Sequence, residues 1–258
     1  RTHDFSGAQV HYTPASSAIQ ILDRVTGEAR APVTADYLTY AKVVAGLPGI
    51  QAQSTAFIPS DVDQRIADAY RLFLSLLVCE KPVVTGAFSV EGFALMRDLL
   101  LAVRGNEQAL REKPLAIFTC CPTSPLKWTH DGAANLMDCA RAAIPVEIVP
   151  VPLSGFMAPV TMVGTLIQHT AEVLSGVVLG QLARPGAPML FGGCPAVFDV
   201  RYESAPMGAV ESMMIACGTA AIGRVTELAG TDTVDDRGHR RVGAAQMGYR
   251  PPVVPHAG

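Results

Sequence analysis

Gln168, His169 and Glu172 interrupt a long apolar stretch, APVTMVGTLIQHTAEVLSGVVLGQLARPGAP, that runs from Ala158 to Pro188. An amide, an imidazole and a carboxylate at this spacing can hold a polar or cationic ligand, and the last two can also carry protons. At 100° per residue, Thr161, Thr165, Gln168 and Glu172 fall within a helical wedge of about 60°, with His169 just beside it. The opposite arc carries Met162, Val163, Leu166, Ile167, Val173, Leu174, Val177 and Val178. Two readings of the polar stripe are open. It is either the solvent side of an outer helix, the default for an amphipathic helix, or a face that another subunit covers or that lines a ligand cavity. Sparse charge favours the second, since Glu147 and Glu172 are the only charged residues between Ala142 and Ala183. A membrane span is not expected, because polar side chains break the run of roughly 20 apolar residues that a span requires.

Other groups with chemical potential are few. FDVR, Phe198 to Arg201, sets Asp199 and Arg201 on one side of an extended segment, either as an ion pair or as a clamp for a carboxylate. Cys120 and Cys121 are adjacent thiols with no paired histidine identifiable, which reads as inert rather than nucleophilic cysteine. HExxH, CxxC and GxSxG are all absent, so neither a zinc site nor a serine-hydrolase elbow is expected. No basic run marks a nucleic-acid surface in a chain of 258 residues with net charge −3. The sequence begins on Arg1 rather than Met, as expected of a processed product or fragment, and its first residues lack the apolar core of a signal peptide. Six scattered cysteines without a disulfide pattern point to a cytoplasmic protein.

The elements that would position these groups follow a regular rhythm. Short apolar runs start at Ala18, Ile50, Pro82, Leu115, Val146 and Pro188, at steps of 32, 32, 33, 31 and 42 residues. Each is bounded by Gly, Pro or Ser, as buried strands are. Helical segments lie between them. Thr34 to Ala45 opens on Thr34 as N-cap, Asp61 to Val78 sets Ile66, Ala69, Phe73, Leu76 and Leu77 on one apolar face, and Glu91 to Val103 and Thr129 to Ala143 are similar. Strand–helix units of this length make parallel α/β sheets. No phosphate-binding glycine loop follows the first strand, so an incomplete (β/α)8 TIM-type barrel with six visible units is expected over a doubly wound sheet. The barrel portion spans 1–228, and 229–258, rich in Gly, Pro and charge, reads as a loop-like tail.

In such barrels the reactive groups sit at the C-terminal strand ends. That rule selects Gln53–Thr55, Thr85–Gly86, Thr119–Ser124, Leu153–Phe156 and Gly192–Cys194, loops of amides, hydroxyls, thiols and glycines with few acids or bases. Such a site suits the positioning of a reactive cofactor more than side-chain proton transfer.

The segment PLSGFMAPVTMVGTLIQHTAEVLSGVVLGQLARPGAPMLFGGCPAVFDVR, Pro152 to Arg201, resembles the trimethylamine methyltransferase family of corrinoid-dependent enzymes. Supporting matches are STAFIPSDV at Ser54, KPVVTGAFSVE at Lys81, EKPLAIF at Glu112 and PMGAVESMMI at Pro206, so the likeness covers residues 1 to 225. It departs from the family at Phe156 and Met157, where small residues and Thr are usual. The resemblance implies a (β/α)8 barrel that moves a methyl group from a methylated amine to the Co(I) of a corrinoid (cobalamin) held by a cognate partner protein. It implies no tightly bound metal, and a homo-oligomer is expected.

A quaternary ammonium leaves as a neutral amine without further activation. Methanogen trimethylamine enzymes use pyrrolysine, and none is written here, so glycine betaine is expected and trimethylamine stays open. On this reading Gln168, His169, Glu172 and Arg201 bind substrate, Glu172 meeting a cation and Arg201 a betaine carboxylate. Gly192 and Gly193 border the cofactor, and no catalytic residue is assigned. The alternatives are a noncatalytic interaction module or inactive fragment and, less favoured, a βα-barrel lyase or aldolase.

Overall fold

The computed structural model describes residues 11–14 and 17–225. The tail expected from Ala229 lies outside these residues. The chain opens with β1 (Ile21–Leu22) and β2 (Ala29–Arg30), an antiparallel pair, followed by α1 (Thr34–Gly46). A repeating series then begins: β3 (Gln53–Ser54), α2 (Gln64–Val78), β4 (Val83–Thr85), α3 (Val90–Arg104), the short α4 (Glu107–Glu112), β5 (Ala116–Cys120), α5 (His130–Ala142) and β6 (Val146–Ile148). It continues through β7 (Leu153–Ser154), α6 (Met162–Ala183), β8 (Met189–Phe191), β9 (Ala196–Val197) and α7 (Val210–Val225).

Five strands form one parallel sheet in the order β3-β4-β5-β6-β8, so spatial order follows chain order without reversal. A doubly wound sheet reverses direction at its switch point; this one does not. Its helices also pack on one side. Val83, Phe118, Val146, Ile148 and Met189 share a single apolar core with Leu72 of α2, Phe93 of α3, Leu136 of α5 and Val173 of α6. The arrangement is α/β and consistent with a partial α/β barrel. The short β7 and β9 pair in parallel beyond the ends of β6 and β8.

The first expected βα unit is corrected. The run at Ala18 makes one parallel bridge, to Phe57, and then turns back as the β1–β2 hairpin. Asp23 drives this reversal, its carboxylate accepting from Val25 and Thr26 N–H and pairing with Arg30. Helix starts follow the expected chemistry at Ser89, Thr129 and Thr161, whose hydroxyls each accept the N–H three residues on. At α1 the cap is Val33 rather than Thr34. The Asp36 carboxylate reaches back to Val33 N–H, while Thr34 donates to Asp61.

Two helices depart from the expected burial. In α2, Ile66, Phe73 and Leu77 are exposed, and the buried face carries Asp68, Arg71, Leu72 and Ser75. In α6, Val163, Ile167 and Val178 are exposed, whereas Thr165, His169 and Glu172 are buried. The solvent-side reading of the α6 stripe is therefore overturned: Thr165, Gln168 and Glu172 bond loops of the same chain, and His169 is buried without a hydrogen bond. Helix α6 is long and apolar enough to cross a membrane, but it lies against α5, α7, β6 and β8 with its polar stripe covered.

Arg71 shows what the inward polar groups do. Its guanidinium pairs with Asp68, donates to Thr55 O after β3 and lies over the Phe88 ring. Asp68 in turn accepts from Phe88 N–H after β4. Removing one partner of a buried pair strands the other charge. Asp68→Asn is expected to lower stability by about 3–5 kcal/mol, read as a reduced urea midpoint.

Candidate functional site at the strand ends

Parity sorts the sheet into two faces. Val83, Ala116, Phe118, Val146 and Ile148 face the helices, so the intervening Val84, Ile117, Thr119, Glu147 and Leu190 occupy the opposite, inner face. Register confirms the row, pairing Val84 with Ile117, Thr119 with Glu147 and Glu147 with Leu190. At its C-terminal end lie two glycines. A Cβ on Gly86 would stand 3.1 Å from Thr119 Oγ1, and one on Gly192 would stand 2.6 Å from Glu147 Cγ and 2.9 Å from Oε1.

Glu147 is the residue that sequence reasoning missed. It is 6% exposed, and among the described residues no donor or counter-charge meets its carboxyl. Burial alone pushes its pKa up to about 7. The available signal was a single acid inside the apolar run VEIV, which registers as an interruption unless the parity of neighbouring strands is known.

The expected substrate residues separate into two groups. Glu172, 1% exposed, accepts from Ser124 Oγ at 2.7 Å, Leu126 N–H at 3.0 Å and Gln168 Nε2 at 3.0 Å. Gln168 also donates to Met157 O. Together they fasten the loop after β5 and the turn after β7 to α6. His169, on the same helix, is fully buried beside the Phe191 ring, 5.6 Å between centroids. Burial lowers its pKa to about 4, while the nearby Gly192 backbone pulls weakly the other way without a well-formed hydrogen bond. Neutral imidazole thus packs behind Gly192 and Gly193, and a Cβ on Gly193 would stand 1.8 Å from His169 Nε2.

Arg201 is apart from this group, exposed in the turn after β9. The expected ion pair with Asp199 does not form. Asp199 instead accepts the N–H groups of Arg201 and Tyr202, a local turn that competes with pairing.

Thiols ring the inner site. Cys121 after β5 has an exposed edge, yet the atoms packed round its sulfur, with smaller contributions from Cys120, Glu147 and Cys194, push its pKa up to about 11. Cys194 after β8 is raised by burial and by Glu147. Both are neutral thiols at pH 7. Among the described residues no three His, Cys, Asp or Glu side chains converge to hold a metal. Large apolar side chains are exposed in several loops that follow the strands: Phe88, Leu126, Phe156, Val200 and Tyr202. Phe156 is stacked on Phe198 at 4.6 Å.

A parallel α/β sheet with helices on one face and polar groups at its C-terminal strand ends is the arrangement of a partial α/β barrel, a fold class in which reactive groups sit at those ends. The sequence specifies which kind. Residues 1–231 match the family model for trimethylamine methyltransferase (MTTB), and the chain belongs to that family. It is 30% identical over 222 residues to trimethylamine methyltransferase MttB of Desulfitobacterium hafniense, an alignment covering 86% of this chain and 45% of that protein. It is 38% identical over 133 residues to MttB of Methanosarcina barkeri, covering 51% and 27%. It is 27% identical over 194 residues to a proline betaine:corrinoid methyltransferase of Eubacterium limosum, covering 70% and 40%. The chain thus spans less than half the length of each of these relatives.

The contact between His169 and Gly193 yields a stability test. Gly193 has φ +144°, which disfavours a side chain even without the imidazole. Gly193→Ala is expected to destabilise by about 2–5 kcal/mol, combining steric overlap and backbone strain. Adding His169→Ala should relieve part of the deficit, and urea unfolding of the two singles and the double measures the coupling.

Proposed function

We propose that this chain forms part of an enzyme that transfers a methyl group from a small methylated amine to a corrinoid carried by a partner protein. The observation that carries the reading is the inner site itself: hydroxyl, glycine and apolar residues around one unpaired carboxyl, in a member of the trimethylamine methyltransferase family. Closure of the sheet into an eight-stranded barrel is part of the proposal.

A reduced corrinoid supplies a Co(I) nucleophile when bound. The C–N bond breaks with its electron pair left on nitrogen, so the departing amine from a quaternary ammonium needs no proton. The chain's task is therefore alignment and exclusion of water. The strand-end face fits a corrinoid partner in two respects. Its loops expose large apolar side chains, and the raised pKa values of Cys121 and Cys194 keep thiolates from competing for cobalt. Gly192 and Gly193 would border the cofactor. Gln168, His169 and Glu172 would support the substrate wall through the loops they hold, and Arg201 would meet the carboxylate of a betaine.

Trimethylamine, glycine betaine and proline betaine are the substrates to compare. Cobalamin reduced with titanium(III) citrate is the acceptor, and appearance of methylcobalamin is followed by absorbance. Methylation dependent on the chain and on one of these amines is the expected result. Absence of methylation with all three would favour a noncatalytic interaction module.

A further inference from the structure

The Glu147 carboxyl is the one buried acid at this end of the described fold that the protein leaves unanswered. Glu172 already accepts from three donors. Asp68 is paired with Arg71 and bonded to Phe88 N–H. Glu147 has neither kind of partner, yet it is only 6% exposed, on an inner sheet face. A buried carboxyl serving structure alone would be expected to hold a donor, because desolvation without one is costly. The space against it is also kept clear. Gly192 withholds a Cβ that would meet both Cγ and Oε1, and Gly86 does the same for the Thr119 hydroxyl in the adjoining position of the row.

The ligand chemistry follows from what this wall offers. It presents one carboxyl, the Thr119 hydroxyl, which is engaged with Thr85 O, and the apolar Val84, Ile117 and Leu190. A fully methylated nitrogen has no N–H to donate, so charge and apolar contact are its means of recognition. Methyl groups also leave the cation weakly hydrated, which lowers the desolvation penalty of pairing it inside a protein. We propose that Glu147 anchors the substrate's positive charge, a methylated ammonium seated against its carboxylate on the inner face of the sheet. This role, anticipated at Glu172 from the sequence, moves to the acid that has no other partner. The inference rests on the amine-methyltransferase reading and assigns the residue that selects the cation.

Binding should then be linked to ionisation. Burial holds Glu147 near half-protonated at neutral pH, and a cation favours the charged form. The titratable groups facing it are the Cys121 and Cys194 thiols, neutral at pH 7, with neutral His169 behind the adjoining glycines. Cation affinity should therefore rise as Glu147 deprotonates.

Calorimetric titration of the full chain with choline and with its uncharged isostere 3,3-dimethylbutan-1-ol tests the anchor without any corrinoid. Choline is expected to bind at least about tenfold tighter, equivalent to about 1.4 kcal/mol. Its affinity should increase from about pH 6 to about pH 8, around the Glu147 pKa. Glu147→Gln should remove both the preference and the pH dependence while retaining a cooperative unfolding transition. Should that variant not fold, Gly192→Ala, which crowds the carboxyl, should weaken choline binding more than tenfold, and the wild-type isostere and pH comparisons need no variant.

Equal binding of the two probes, no choline binding, or a preference unchanged in Glu147→Gln would overturn the proposal. Glu147-dependent cation binding without methyl transfer would leave the anchor standing and remove the enzymatic reading. Methyl transfer with unaltered KM in Glu147→Gln would do the reverse.

Discussion

Loops that leave the ends of parallel strands carry backbone N–H and C=O groups beyond the reach of the sheet ladder, and those groups need partners when buried. Here the partners come from helices. Arg71 and Asp68 of α2 take Thr55 O and Phe88 N–H, and Glu172 of α6 takes Leu126 N–H with the Ser124 hydroxyl. This demand explains why both helices turn polar residues inward and leave large apolar side chains outside. The same fastenings fix the loops after β3, β4 and β5, and hence the mouth of the inner site. Glu147 needs no support of this kind, because the β5–β6–β8 ladder holds its backbone directly.

Much of the fold was legible because short apolar runs and helix caps are local signals. Five of the six expected strands lie in the parallel sheet, and the helices ending at Val78 and Ala142 or beginning beside Ser89 fall close to their expected bounds. The run at Ala18 failed because apolarity does not distinguish a parallel strand from a hairpin arm, and Asp23 with Arg30 decides between them. The face of α2 was misread for a different reason, which also left the α6 stripe between two readings. Hydrophobic periodicity assigns polar residues to water, and it cannot register a distant loop that offers a carboxylate better partners. Glu172 and Ser124 are 48 residues apart.

The site was legible in kind more than in detail. Gly86, Thr119 and Gly192, selected from the sequence as strand-end positions, lie beside the inner row. Glu147 escaped because its significance depends on parity across three strands. His169 and Glu147 also show one cause acting in opposite directions. Burial disfavours charge on each, which lowers the histidine and raises the acid. Two ionisable side chains close to Gly192 are thereby brought toward neutrality, one fully and one about halfway.

The inward stripe of α6 also has a chronology. Ser124 and Leu126 precede Glu172 in the chain, so during synthesis the carboxylate emerges after its donors. His169 must wait, since Phe191 and Gly193, against which it packs, leave the ribosome later. The groups that hold Glu172 thus lie N-terminal to it and those that cover His169 lie C-terminal, so synthesis supplies the two halves of the stripe's surroundings at different times.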